Sequence, residues 1–195
     1  SWRREQISDL SLQKQLSTIR EFLRWCDDVK LVDDGLAETV HAPDLPDGAE
    51  SRDVHLTQES AERALDYLGT HHYGSVQHVA LALAWRTGMR LSALRALDVD
   101  DYQPDEQAVE IVDRPEQGTN LKNDAAGERW VYLGRSYADI LSAYITGPRI
   151  ETTDEYGREP LLTTHHGRPS ESTLYDWLNA VTRPCFYGQE CPHDR

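Results

Sequence analysis

Apolar residues recur at helical spacing through SLQKQLSTIREFLRWCDDV, where Leu12, Leu16, Ile19, Phe22, Leu23 and Cys26 share one face and predict a helix near residues 11–29. A single helix cannot bury its own apolar stripe, so this segment reads as the tail of another domain. The pattern then dissolves. HAPDLPDGAESRD, residues 41–53, sets Pro43, Pro46 and Gly48 among acids and reads as an extended linker. Thr57 is placed to cap a second helix through LTQESAERALDYLG, with Glu59 and Glu62 early and Gly69 just past the last periodic leucine as its stop. VQHVALALAW, from Val76 to Trp85, is apolar nearly all round and predicts a deeply buried helix. Gly88 breaks it, and LSALRALD starts a short helix directly after Arg90.

Beyond that point the period changes. AVEIV (108–112) and RWVYL (129–133) alternate and are rich in β-branched or aromatic residues, as half-buried strands are. They flank a long polar hairpin loop, RPEQGTNLKNDAAGE, that contains Lys122. SYADILSAYI predicts a helix ending near Gly147 and Pro148, and EPLLTT a short strand turning at HHGRP. SESTLYDWLNAVT predicts a last helix, with Ser170 as N-cap and Leu174, Trp177, Leu178 and Val181 as its buried face. The order of helices, a small antiparallel sheet and helices again gives a mainly α fold of the α+β class.

Composition narrows the function. The 195 residues carry 34 acidic against 20 basic side chains, a net charge of −14, and only Lys14, Lys30 and Lys122 among the basic residues are lysines. A lysine-poor, acidic chain with periodic apolar blocks suits a salt-rich, halophilic cytoplasm, where carboxylates hydrate the surface and their repulsion is screened. At about 1 M salt the Debye length is roughly 3 Å, so the global charge says little against a nucleic-acid partner and local arginine placement decides. No apolar run reaches the ~20 residues of a membrane span, and SWRREQISDL has no secretory core, so a cytoplasmic protein is expected. Three cysteines make no disulfide framework, and Cys26 reads as a small core residue.

TGMRLSALRALDVDDY, GTNLKNDAAGERWVYL and the run from TIREFLRWC through the linker to LTQESAERALDYL together resemble the tyrosine recombinases, the phage-integrase family, and more narrowly integrase-like proteins of halophilic archaea. The resemblance covers residues 11–195. It implies the end of a helical core-binding domain over 1–40, a linker over 41–54, and the first part of a recombinase catalytic domain over 55–195. It implies double-stranded DNA as partner, with protomers associating on it, no membrane, and no cofactor. In such enzymes a tyrosine attacks a DNA phosphodiester to form a 3′-phosphotyrosyl link. Charge gathers on the non-bridging oxygens, where a planar, permanently protonated guanidinium stabilises it. Arg90 matches the family's first catalytic arginine. Lys122 matches the hairpin lysine that protonates the leaving 5′-oxygen. Ala93 stands where many members have glutamate.

Each residue keeps a plainer alternative: Arg90 could cap a preceding carbonyl or pair with Asp98 or Asp100, and Lys122 could be a solvated loop lysine. Arg86, Arg95, Arg114, Arg129 and Arg168 are expected DNA-backbone contacts. The family's His-x-x-Arg block and nucleophilic tyrosine find no match through Arg195. His193 and Arg195 are one residue too close, and Tyr187 precedes them. The expectation is that this chain lacks the covalent step. A non-catalytic DNA-binding or regulatory remnant of the same fold is the alternative. A third reading, a small helical metal protein, rests on Cys185, Cys191 and His193 as zinc ligands at a spacing that no standard zinc finger uses. The pairs His71–His72 and His165–His166 read as loop or surface residues.

Overall fold

A computed structural model describes residues 7–45 and 55–190, and the chain divides into two compact units, Ser1–His55 and Leu56–Arg195. In the first unit, α1 (Asp9–Asp28) begins where the Ser8 hydroxyl accepts the Ser11 N–H, which satisfies one of the donors a helix start leaves open. The chain returns through a 3-10 turn, Leu36–Thr39, held by Arg20 Nη2 on the Val40 carbonyl at 2.7 Å. Of the expected apolar face only Cys26 is buried. Ile19 and Phe22 are exposed, so α1 does not bury its stripe against this unit's own short return segment. Most of the expected linker, 46–53, lies outside the described residues.

The second unit begins with α2 (Gln58–His71), capped by the Thr57 side chain on the Ser60 N–H. Gly69 lies inside this helix instead of ending it, and the final turn closes with the His72 N–H on the Leu68 carbonyl. α3 (Val76–Thr87) is buried from His78 to Leu83, as its all-round apolar sequence requires. After α4 (Leu91–Ala96) come β1 (Tyr102–Gln103), β2 (Ala108–Ile111) and β3 (Arg129–Tyr132), an antiparallel sheet in the order β1-β2-β3. Val109 stands opposite Tyr102 on one side and Val131 on the other. The two-residue β1 is too short to leave a periodic signal. β2 is central and largely buried; β3, expected half-buried, is an edge whose Trp130 and Tyr132 are exposed.

α5 (Arg135–Thr146) and α6 (Glu171–Val181) complete the mainly helical α+β architecture, and Ser170 caps α6 on the Thr173 N–H. Leu83, Leu94, Val109, Leu133, Leu141 and Leu174 from α3, α4, the sheet region, α5 and α6 meet in one core. EPLLTT is not a strand. Its extended stretch pairs with the chain after α4 through only two bonds, Val99 N–H to the Glu159 carbonyl and Leu161 N–H to the Leu97 carbonyl, both 2.9 Å. Pro160, between them, has no N–H to continue a ladder. Leu161 and Leu162 are both buried, so the stretch packs on both faces without the alternation of a half-exposed strand.

Candidate functional site

Thr-Gly-Met fixes where Arg90 points. Gly88 ends α3 in the left-handed region (φ 61°) with its N–H on the Ala84 carbonyl, a backbone conformation that glycine adopts without a Cβ penalty. Thr87 Oγ1 donates to the Leu83 carbonyl at 2.6 Å and accepts the Met89 N–H at 3.2 Å, and the Met89 side chain is buried. The turn is thereby tied at three points. Arg90 follows as N-cap of α4 with extended backbone, its carbonyl accepting the Leu94 N–H. Its side chain is exposed and has no hydrogen bond or ion pair among the described residues. The pairing with Asp98 or Asp100 does not occur. Ala93 is buried beneath it, so no carboxylate at that position restrains the guanidinium.

Lys122 sits on the β2–β3 loop, where the backbone just before it is pinned. The Leu121 N–H donates to Asp113 Oδ1 at 2.6 Å and the Leu121 side chain is buried. The Lys122 ammonium is exposed and, among the described residues, unpartnered. A groove of about 480 Å³ is lined by Arg90, Leu91, Ser92, Asn120, Lys122 and Glu171. A smaller hollow of about 40 Å³ shares Arg90, Ser92 and Lys122 and reaches Leu121 and Arg129. The α3–α4 turn and the hairpin loop thus bring two unsatisfied cations to the walls of one groove.

The other five expected arginines each have a partner within the protein. Arg86 Nε donates to the Leu133 carbonyl at 2.7 Å, and Arg129 Nη1 to the Gly127 carbonyl at 2.9 Å. Arg95 reaches the carbonyls of Pro169 and Gly118. Arg114 and Arg168 are bound by carboxylates: Arg114 bidentately by Asp101, Arg168 by Asp98 at 2.6 Å and Asp154 at 2.8 Å. Arg168 also donates to the carbonyls of Arg95 and Leu97, and its side chain is only 6% exposed. Both are expected DNA-backbone contacts, and the structure places them in carboxylate pairs around one node.

Asp98 is the centre of that node. It accepts from Arg168 and from Arg158 Nε at 2.7 Å, and its backbone N–H donates to Asp101 Oδ2 at 2.9 Å. Asp101 hydrogen-bonding raises the Arg114 pKa against the opposing effect of burial. At Asp154, burial pushes the pKa up, but the Arg168 bond and the N–H groups of Arg158 and Tyr156 outweigh it and leave it below the usual carboxylate value. Arg158 and Asp154 carry no expectation from sequence, and Asp98, a candidate partner for Arg90, pairs with Arg158 and Arg168 instead. The only local signal was DEYGR, an Asx-type turn in which Asp154 Oδ1 accepts from residues 156 and 158 around Gly157 (φ 75°).

His78, buried near the start of α3, accepts the Gly74 N–H on Nδ1, and burial lowers its pKa, so it is a neutral core histidine. His71, His72, His165 and His166 are exposed. Cys185 is an exposed free thiol, while Cys191 and His193 lie outside the described residues. No group of three His, Cys, Asp or Glu suited to a metal occurs among the described residues. Nor is any described helix long and apolar enough to cross a membrane.

This arrangement has the fold seen in XerA recombinase and lambda integrase. The chain superposes on XerA recombinase with a TM-score of 0.54 at 15% identity, covering 96% of this chain and 57% of that one. It also superposes on a lambda integrase dimer bound to a COC′ core site, with a TM-score of 0.60 at 14% identity over 93% of this chain and 47% of that one. Against lambda integrase bound to DNA the TM-score is 0.58 at 14% identity, over 95% and 60% of the two chains. The chain therefore spans about half to three fifths of the length of these structures. No family model matches the sequence, and no curated protein matches it significantly.

Proposed function

We propose that this chain binds double-stranded DNA in site-specific recombination or integration, with Arg90 and Lys122 meeting one phosphodiester. The observation that carries the reading is the meeting of two exposed, unpaired cations, delivered by separate and locally pinned segments, on one groove. A free guanidinium can make two parallel bonds to phosphate oxygens and stabilise charge that develops there. A lysine can release its proton to a leaving oxygen, which an arginine cannot do at ordinary pH. The recombinase fold, shared with proteins whose structures contain DNA, supports the same partner. Phosphoryl transfer to protein needs a nucleophile in addition, and neither of these residues supplies it.

The segment before residue 41 is assigned to a core-binding domain and 55–195 to the first part of the catalytic domain. The acidic, lysine-poor surface suits work in concentrated salt. The test is binding of a mixed-sequence duplex by fluorescence anisotropy across a KCl series. Arg90→Ala and Lys122→Ala are expected to weaken binding to all sequences alike, because phosphate contacts carry no base information. Unchanged affinity in either folded variant would refute the reading.

A further inference from the structure

We infer that Arg158 is a positioning residue for the cationic pair, a single guanidinium that joins the end of the Arg90 helix to the loop carrying Lys122. Its Nη2 donates to the Ala96 carbonyl at 3.1 Å, at the end of α4, and its Nε to Asp98 Oδ2 at 2.7 Å just beyond. Its Nη1 donates to the Gln117 carbonyl at 3.1 Å and to Thr119 Oγ1 at 2.8 Å, in the hairpin loop ahead of Lys122. Arg95, on α4 itself, adds a parallel strut to the Gly118 carbonyl at 2.9 Å. Three consecutive loop residues are thus held by two arginines.

The loop needs such an anchor. It is long and polar, and apart from the buried Leu121 and Thr119 its residues from 115 to 126 are exposed. Its internal order rests on the Arg114–Thr119 bridge and on Asp113 holding the Leu121 N–H. Those bonds shape the loop, but neither ties it to α4. Arg95 and Arg158 do, and the planar fork of Arg158 is what lets it span both segments, since four acceptors in different directions are met by one rigid group. Asp98 neutralises the charge and Arg168 fixes Asp98 from its other oxygen, so the fork is held from behind. Loss of Arg158 would remove two of the three arginine bonds to residues 117–119 and loosen the approach to Lys122, with Arg95 and the buried Leu121 still in place; an ångström-scale misplacement is enough to weaken a two-point phosphate contact.

The inference rests on the Arg90–Lys122 reading, and a double-mutant cycle in DNA binding separates the two. Lys122→Ala is expected to weaken duplex binding about tenfold, the effect of one charge-assisted bond. Arg158→Gln should cost several-fold in the native background and less than about twofold when Lys122 is already alanine, because its effect passes through the lysine. Amide hydrogen exchange across 117–123 should accelerate in Arg158→Gln while α3 keeps its protection. Thr119→Val, which removes only the hydroxyl acceptor and leaves the Asp98 pair intact, should show the same pattern more weakly, and it decides the matter if Arg158→Gln does not fold. Additive losses, or unchanged loop exchange in a folded variant, would overturn the positioning role. Should Lys122→Ala leave binding intact, the phosphate reading fails, and the exchange measurement alone then decides whether Arg158 orders the loop.

Discussion

Two clusters of cationic side chains lie near the start and the end of α4, and they differ in exposure and in partners. On the groove side Arg90 and Lys122 are exposed and, among the described residues, unpaired. On the other side Arg158 and Arg168 share Asp98, and Arg114 grips Asp101, with these side chains mostly removed from water. A buried guanidinium must be matched by a carboxylate and by carbonyls or its desolvation would oppose folding, whereas an exposed one costs nothing to leave open. Availability to a ligand is therefore settled by partners and not by the arginine itself. The comparison predicts opposite phenotypes for the two sides: stability lost without a specific effect on phosphate binding at the node, and binding lost without stability at the groove.

The largest effect is expected at Asp98. Asp98→Ala would leave Arg158 and Arg168 without their shared counterion in a site that excludes water, a loss of about 3–5 kcal/mol in denaturant unfolding. Arg90→Ala should change unfolding stability by no more than about 0.5 kcal/mol, since no contact is removed, while costing about 1.5–3 kcal/mol in phosphate binding. An Asp98→Ala protein as stable as the native chain would dissolve the distinction between the two sides.

How much of this was legible beforehand follows the range of the interactions involved. Helical and strand periodicity is local, so α3, β2 and the Thr87–Gly88–Met89 break stood out, and the order of the Arg90 and Lys122 segments pointed to a shared site. The node is not local. Asp98 and Arg158 are 60 residues apart, and nothing near either distinguishes a buried pair from two solvated charges. An arginine in a turn looks the same in sequence whether a carboxylate or a phosphate awaits it, so the carboxylate pairs of Arg114 and Arg168 are not legible there. The failure of EPLLTT to form a strand has the same origin: its apolar run is real, but Pro160 and a two-bond partner segment decide its pairing.

Acid is expected to destabilise the buried groups by a smaller amount. The Asp154 carboxyl has a lowered pKa in the folded chain, so its contribution to stability is complete above the unfolded value of about 3.9 and is lost as pH falls through the folded value. Asp154→Asn is thus expected to be less stable than the native protein near pH 7, and the two curves should converge at low pH. His78 acts at a higher pH with the same sign. Burial disfavours its charged form, so its contribution is present above the unfolded value of about 6.5 and declines as pH drops below it. A His78→Gln protein whose stability falls with acid as steeply as the native one between pH 6.5 and 5 would remove His78 from the account.

The finest distinction lies in salt dependence, where the two sides separate even if their affinities do not. Each phosphate neutralised by a protein cation releases condensed counterions, so the slope of log affinity against log salt changes by about 0.9 per contact on a duplex. Lys122→Gln removes one charge from the groove without touching a hydrogen bond of the fold, and the slope should become shallower by about that amount. Arg114→Gln removes a charge of the same sign, but one already compensated by Asp101, and should leave the slope unaltered while lowering stability. The pair of measurements holds net charge constant between variants, so any difference reports position alone. Equal slopes for the two would mean that the groove gathers phosphate no better than the paired interior does, and the Arg90–Lys122 site would lose its claim to the nucleic acid.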